Sequence, residues 1–98
     1  MNKMYNKEGR EIKYSKEELL SFSDDKISNA AKTQSSAIQF GDALLYWREY
    51  YLDESDKAHS QGNSSLGYAL AEKQKELSRI WRNFISYVED YQKLGYWD

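Results

Sequence analysis

Apolar residues in the last third of the chain recur with a seven-residue spacing. The two main lines of this pattern are Leu70, Leu77, Phe84 and Tyr91, and Ile80, Tyr87 and Leu94. The opposite side of the same stretch is polar or charged from Glu72 to Lys93. Such a pattern predicts an amphipathic helix over about residues 65–94 that has one surface to bury.

A second helical pattern covers about residues 25–57. Its two apolar lines are Ala30, Ala37, Leu44 and Tyr51, and Ala31, Ile38, Leu45 and Leu52. The turn-forming residues Ser60–Ser65 separate it from the last helix, so we expect the two long helices to form an antiparallel hairpin. With a loop centred near Gly62, Trp81 lies opposite Gly41, and a large side chain meets a small one. The alternative is that Gly41-Asp42 ends one helix and begins another.

The sequence pattern of the first 22 residues predicts shorter secondary-structure elements. Ser15 and Glu18 have the spacing of a capping box, which predicts a short helix over about residues 16–22. Residues 1–14 fit either a small β-hairpin turning at Glu8-Gly9 or a disordered arm. Near the other end, Gly95 fits a helix stop with a left-handed glycine. The expected fold is all-α and consists of a single helical domain over residues 1–98, with residues 15–98 forming the helical bundle.

Composition narrows the class of protein. The 98 residues include 14 Lys plus Arg and 16 Asp plus Glu, a near balance that does not indicate a nucleic-acid partner. No cysteine is present, which excludes disulfides and thiolate metal sites. The sequence shows neither a signal peptide nor an apolar stretch long enough to span a membrane. We therefore expect a cytoplasmic protein that does not enter the membrane, and secretion without a signal peptide stays open.

Catalytic and metal-binding patterns find little support. The only histidine, His59, has Asp56 three residues before it, and two ligands do not make a metal site. No catalytic serine motif, glycine-rich phosphate loop or paired carboxylate set is visible. We expect no enzymatic activity, no cofactor and no metal.

Two surfaces are candidates for binding a partner. The apolar band on each long helix is wider than a two-helix seam requires, so part of it should be covered by a second copy of the chain or by another protein. On the last helix the uncovered flank is expected at Trp81, Ile85 and Val88. On the middle helix the candidate surface comprises Tyr46, Trp47 and Tyr50, because exposed tyrosine and tryptophan are typical of binding hot spots. The alternative is that Tyr46 and Tyr50 pack under the N-terminal segment.

These features lead to a first hypothesis, a non-enzymatic helical module that docks on a protein partner as an assembly subunit or an inhibitor. Small chains rich in lysine, asparagine and tyrosine are common among phage and mobile-element proteins. In length, lack of cysteine and two helices around a central loop, the chain resembles the small WXG-type secreted proteins of Gram-positive bacteria. That resemblance implies a secretion partner, although the loop lacks the Trp-x-Gly that defines those proteins. A third hypothesis is a DNA-binding or DNA-mimicking protein, with nucleic-acid binding disfavoured.

Overall fold

The computed structural model describes residues 3–97 and shows four helices in them. Helix α1 spans Lys16–Leu20, α2 spans Asp24–Ala30, α3 spans Gln34–Ser60 and α4 spans Ser64–Lys93. The two long helices, α3 and α4, pack against each other as an antiparallel hairpin. The expected all-α hairpin is therefore confirmed, and no strand occurs within the described range.

The N-terminal segment, residues 3–14, folds back on itself at the expected turn. Tyr5 and Glu11 form one isolated antiparallel bridge, and the Ile12 N–H donates to the Met4 carbonyl at 2.8 Å. Gly9 has a φ of 82°, the left-handed value that a glycine adopts without strain. The predicted hairpin is thus reduced to a single bridge around a tight turn.

Hydrogen-bonding side chains begin both short helices. The Ser15 hydroxyl accepts from the Glu18 N–H, and the Glu18 carboxylate accepts from the Ser15 N–H, so the predicted capping box is present. Ser23 caps α2 by accepting from the Lys26 N–H. Helix α1 ends at Leu20, two residues before the predicted end, because the chain must turn there to start α2.

The middle helix begins later than the sequence pattern predicts. The predicted start of the long helix near residue 25 is wrong. Residues 24–30 form the separate helix α2, and a turn at residues 31–33 separates it from α3. Thr33 caps α3 by accepting from the Ser36 N–H, and the Ser36 hydroxyl donates to the Ala30 carbonyl at 2.7 Å. The indole N–H of Trp97 donates to the Ala31 carbonyl at 3.0 Å. The Ser36 hydroxyl and the Trp97 indole therefore satisfy the two carbonyls, of Ala30 and Ala31, at which the helical hydrogen bonding stops.

The register of the hairpin agrees with the expectation for Gly41. This glycine lies inside α3, so the alternative of a helix break at Gly41-Asp42 is wrong. A Cβ built on it would lie 3.4 Å from Phe84 and 3.7 Å from Trp81, in ordinary contact. Near the hairpin loop, the buried Ser55 hydroxyl donates to the Gly67 carbonyl at 2.8 Å. These contacts align α3 with α4 at two levels along the hairpin.

Both long helices end in the same way. Gly62 and Gly95 have φ values of 78° and 81°, and each follows the last helical turn as the left-handed residue of a Schellman motif. At the C-terminal end the Tyr96 N–H donates to the Tyr91 carbonyl, and the two rings stack with centroids 5.1 Å apart. The next helix is capped by Asn63, whose side chain accepts from the Leu66 N–H, and the connecting loop is three residues long.

The hydrophobic core lies between the hairpin and the segments that precede it. Phe40, Leu44, Leu77 and Ile80 are fully buried within the hairpin, and Leu19 of α1 is equally buried. We call the side of the hairpin that packs against residues 3–31 the covered face. On this face, α3 and α4 each contact both α1 and α2. Within residues 3–97 no helix has the length and apolar character that crossing a membrane requires.

Candidate docking surfaces

One side of the hairpin stays exposed, and we call it the open face. It is built from two rows of apolar residues, Ile38, Leu45 and Leu52 on α3 and Trp81, Ile85 and Val88 on α4. A groove of about 230 Å³ runs between the rows and is lined by five of these six residues. Trp97 and Arg10 also line the groove. The predicted flank on α4 is therefore accessible from solvent, with Trp81, Ile85 and Val88 each half-buried.

The row on α3 is the more exposed of the two. Ile38 and Leu45 are each 43% exposed and Leu52 is 50% exposed, although all three are large apolar side chains. They lie seven residues apart, which places them on one line along the helix. The sequence pattern places this line in the apolar band of the middle helix and does not single it out as a candidate surface. The signal was present, because an acid follows each of the three residues four positions later.

Charges of opposite sign border the open face. On the outer side of the α3 row lie Asp42, Glu49 and Asp56. On the outer side of the α4 row lie two basic residues, Lys75 and Arg82, and one acid, Glu89. The carboxylate of Glu49 lies 3.5 Å from the ammonium of Lys7, and the Lys75 ammonium lies 3.4 Å from Glu72. These are exposed pairs of the kind that contribute little to stability, so a partner's charges can replace them.

Asp42 differs from the other acids in this row. Its carboxylate accepts two hydrogen bonds from the Arg10 guanidinium, at 2.7 and 3.0 Å. The hydrogen bond to Asp42 and its negative charge raise the pKa of Arg10. Because the pair is bidentate, it holds the N-terminal turn against α3 in a defined position.

The predicted tyrosine surface on α3 is largely occupied by the protein itself. Trp47 is only 7% exposed, and its indole N–H donates to the Tyr14 carbonyl at 2.8 Å. Tyr46 and Tyr50 pack edge-on against the Trp47 ring, with centroids 4.9 and 5.2 Å away. The Lys16 ammonium lies 5.1 Å from the centre of the Trp47 ring. Trp47 therefore anchors the N-terminal segment and is not an exposed part of the candidate surface.

A groove of about 550 Å³ nevertheless lies between the N-terminal turn and α3. We call it the tyrosine groove, because Tyr5, Tyr46 and Tyr50 contribute to its wall. Tyr46 and Tyr50 are half-buried here, and the Tyr46 hydroxyl lies 3.9 Å from the Met4 sulfur. The part of the prediction that concerns these two tyrosines stays a prediction, since each retains one accessible edge.

The titratable groups near the covered face have ordinary structural causes for their pKa shifts. Burial raises the pKa of Tyr51. A hydrogen bond to Glu17 raises the pKa of Lys16, the lysine over the Trp47 ring. A hydrogen bond to Asp24, which links α2 to α4, raises the pKa of Tyr87. Burial and hydrogen bonds within the fold therefore account for these shifts in pKa.

His59 lies near the hairpin loop. Its ring packs edge-on against Tyr68 at 5.0 Å between centroids and covers Gly67, where an added Cβ would approach the ring to 2.6 Å. Among residues 3–97 no group of three or more histidine or acidic side chains is arranged to hold a metal ion. Packing therefore accounts for the position of His59.

Comparison with known proteins does not assign a function. No protein-family model, no curated protein and no solved structure matches the chain.

Proposed function

We propose that this protein is a non-enzymatic module that binds another protein surface through its open face. The observation that carries the proposal is the line of Ile38, Leu45 and Leu52, whose side chains are between 43% and 50% exposed beside the half-buried Trp81, Ile85 and Val88. Contiguous apolar surface bordered by charged residues is typical of protein–protein interfaces.

The shape of the open face supports a helical partner. Two nearly antiparallel helices with apolar rows at seven-residue spacing leave a groove between them, and a helix from a partner fits such a groove by placing its own apolar row there. Trp81 is the expected anchor, since a half-buried tryptophan buries a large area at low entropic cost. The protein would act in this way as an assembly subunit or as an inhibitor that occupies a partner's binding site, and the cytoplasm is the expected compartment.

Protein is favoured over nucleic acid as the partner. Asp42, Glu49 and Asp56 form a row of acids along the whole α3 side of the open face. The nearest cations, Arg10 and Lys7, are paired with Asp42 and Glu49, whereas nucleic-acid binding depends on neutralising phosphates with cations.

A pull-down with two matched variants tests the proposal. Leu45→Glu places a charge in the middle of the open face. Leu94→Glu introduces the same change at a leucine that is 68% exposed, caps the C-terminal end of α4 and lies seven residues after Tyr87, on the side facing α2. We expect wild type and Leu94→Glu to retain the same bound protein and Leu45→Glu to lose it. Equal recovery of bound protein by both variants, with helical content unchanged by circular dichroism, would contradict a role for the open face.

A further inference from the structure

The open face has the properties of a surface that is complementary to itself. Its length follows from the 27 residues of α3, which at 1.5 Å per residue give about 40 Å. With two helices about 10 Å apart, its width is about 20 Å. The whole side of the hairpin therefore measures about 800 Å², the area that each partner contributes to a standard stable protein–protein interface. The apolar rows occupy only part of it, residues 38–52 on α3 and residues 81–88 on α4.

The charges along the two edges restrict how two copies can meet. One edge, on α3, carries Glu49 and Asp56, and the other edge, on α4, carries Lys75, Arg82 and Lys93 together with a single acid, Glu89. A two-fold axis across the helices would place α3 on the α3 of the second copy and bring acids against acids. A two-fold axis parallel to the helices places α3 on the α4 of the second copy, so that the acidic edge of each copy meets the basic edge of the other.

The positions of the residues along the helix axes agree with the arrangement in which the two-fold axis is parallel to the helices. An axis parallel to the helices keeps every residue at its own height, and the contacts of Gly41 with Trp81 and of Ser55 with Gly67 fix those heights. On this scale Glu49 lies about 3 Å from the height of Lys75, a distance of two helical residues. Ile38 lies within one residue of the height of Ile85. Glu49 and Lys75, and Ile38 and Ile85, therefore coincide without any shift of one copy along the other, whereas Asp56 lies at the height of Leu66 and meets no basic residue of the α4 edge.

We propose that the occupant of the open face is a second copy of this chain, docked so that α3 of each copy packs on α4 of the other. The result is a four-helix bundle in which every neighbouring pair of long helices is antiparallel. Leu45 then lies in the centre of the interface, and Glu49 pairs with Lys75 of the second copy twice. This inference rests on the proposed function, since it names the protein that the open face binds.

Sedimentation equilibrium of the whole chain gives the first measurement. We expect wild type and Leu94→Glu to be dimers. Leu45→Glu should raise the dimer dissociation constant about 100-fold or more, because the dimer would bury two uncompensated carboxylates. A monomeric wild type, or a Leu45→Glu variant that dimerises as wild type does, overturns the inference.

Disulfide trapping tests the arrangement directly, because the natural sequence has no cysteine. Ile38→Cys and Ile85→Cys chains are purified separately, mixed and oxidised. The proposed dimer brings position 38 of one copy next to position 85 of the other, so the mixture should form covalent dimer at least about tenfold faster than either variant alone. Equal rates for the mixture and for Ile38→Cys alone indicate α3 packed on α3 and overturn the arrangement.

The two experiments separate this inference from the proposed function. A monomeric wild type that captures a different protein in a manner sensitive to Leu45→Glu overturns the second copy as occupant and supports a docking role for the open face. A dimer insensitive to Leu45→Glu, together with capture equally insensitive to it, overturns both.

Discussion

The two sides of the α3–α4 hairpin use the same kinds of residue for different purposes. On the covered face, Trp47 is 7% exposed and bonded to the Tyr14 carbonyl, with Lys16 over its ring. On the open face, Trp81 is half-buried, and its α3 neighbour Leu45 is 43% exposed. The N-terminal segment accounts for the difference, since residues 3–31 pack mainly on one side of the hairpin and reach the border of the open face only through Arg10 on Asp42 and Lys7 on Glu49. The same apolar pattern thus yields a core on one side and an accessible surface on the other.

The largest expected effect compares these two faces directly. Trp47→Ala should lower the free energy of unfolding by about 3–5 kcal/mol, because it leaves a cavity and frees the Tyr14 carbonyl. Leu45→Ala should cost less than about 1 kcal/mol, since much of that side chain is already in water. Urea denaturation at a concentration where both variants are monomeric gives both values. Similar losses for the two variants would mean that the faces do not differ as described.

A smaller effect is expected at the hairpin loop, beyond the reach of the N-terminal segment. Ser55 is buried, and its hydroxyl donates to the Gly67 carbonyl at 2.8 Å. Ser55→Ala should cost about 0.5–1.5 kcal/mol, the net value of one hydrogen bond. Ser60→Ala, at an exposed serine in the last turn of α3, is the matched control and should be near neutral. A neutral Ser55→Ala would show that this bond does not fix the register of the two helices.

At the border between the two faces, a substitution should stabilise the protein. Gly41 lies within α3, and an added Cβ would meet Phe84 at 3.4 Å, which is ordinary contact. Gly41→Ala should therefore raise the free energy of unfolding by about 0.5–1 kcal/mol, because alanine favours the helix more than glycine does. Gly41→Leu, which cannot fit beside Phe84 and Trp81, should destabilise it. Thermal unfolding of both variants measures the two signs, and a destabilised Gly41→Ala would show a tighter seam than these distances indicate.

The smallest expected effect concerns the contact that fixes α2 on the covered face. The hydrogen bond to Asp24 raises the pKa of Tyr87, followed by partial burial and the negative charge of Asp24 and Asp25. Because the folded-state pKa lies above the unfolded one, this contribution is complete below about pH 10 and is lost as the pH rises through the raised value. Wild type should lose more stability than Tyr87→Phe across that range. Urea titrations at a series of alkaline pH values measure the difference, and identical pH profiles would contradict it.

Much of the fold could be predicted from the sequence because its signals are local. The capping box at Ser15, the left-handed glycines at positions 9 and 95 and the seven-residue apolar spacing of α4 each depend on residues close in the chain. The break at residues 31–33 could not be predicted in this way. Its alanine-rich pattern continues as if helical, and the Trp97 indole that bonds the Ala31 carbonyl comes from the far end of the chain.

The candidate surfaces show the same limit. The sequence by itself determined that the long helices carry more apolar surface than their own seam can bury, because the width of an apolar band depends only on helical periodicity. Only the tertiary structure decided which part of that band stays exposed. The contacts from Tyr14 to Trp47 and from Asp24 to Tyr87 join residues far apart in the chain, and they direct the N-terminal segment to one side of the hairpin. Ile38, Leu45 and Leu52 are left exposed on the other.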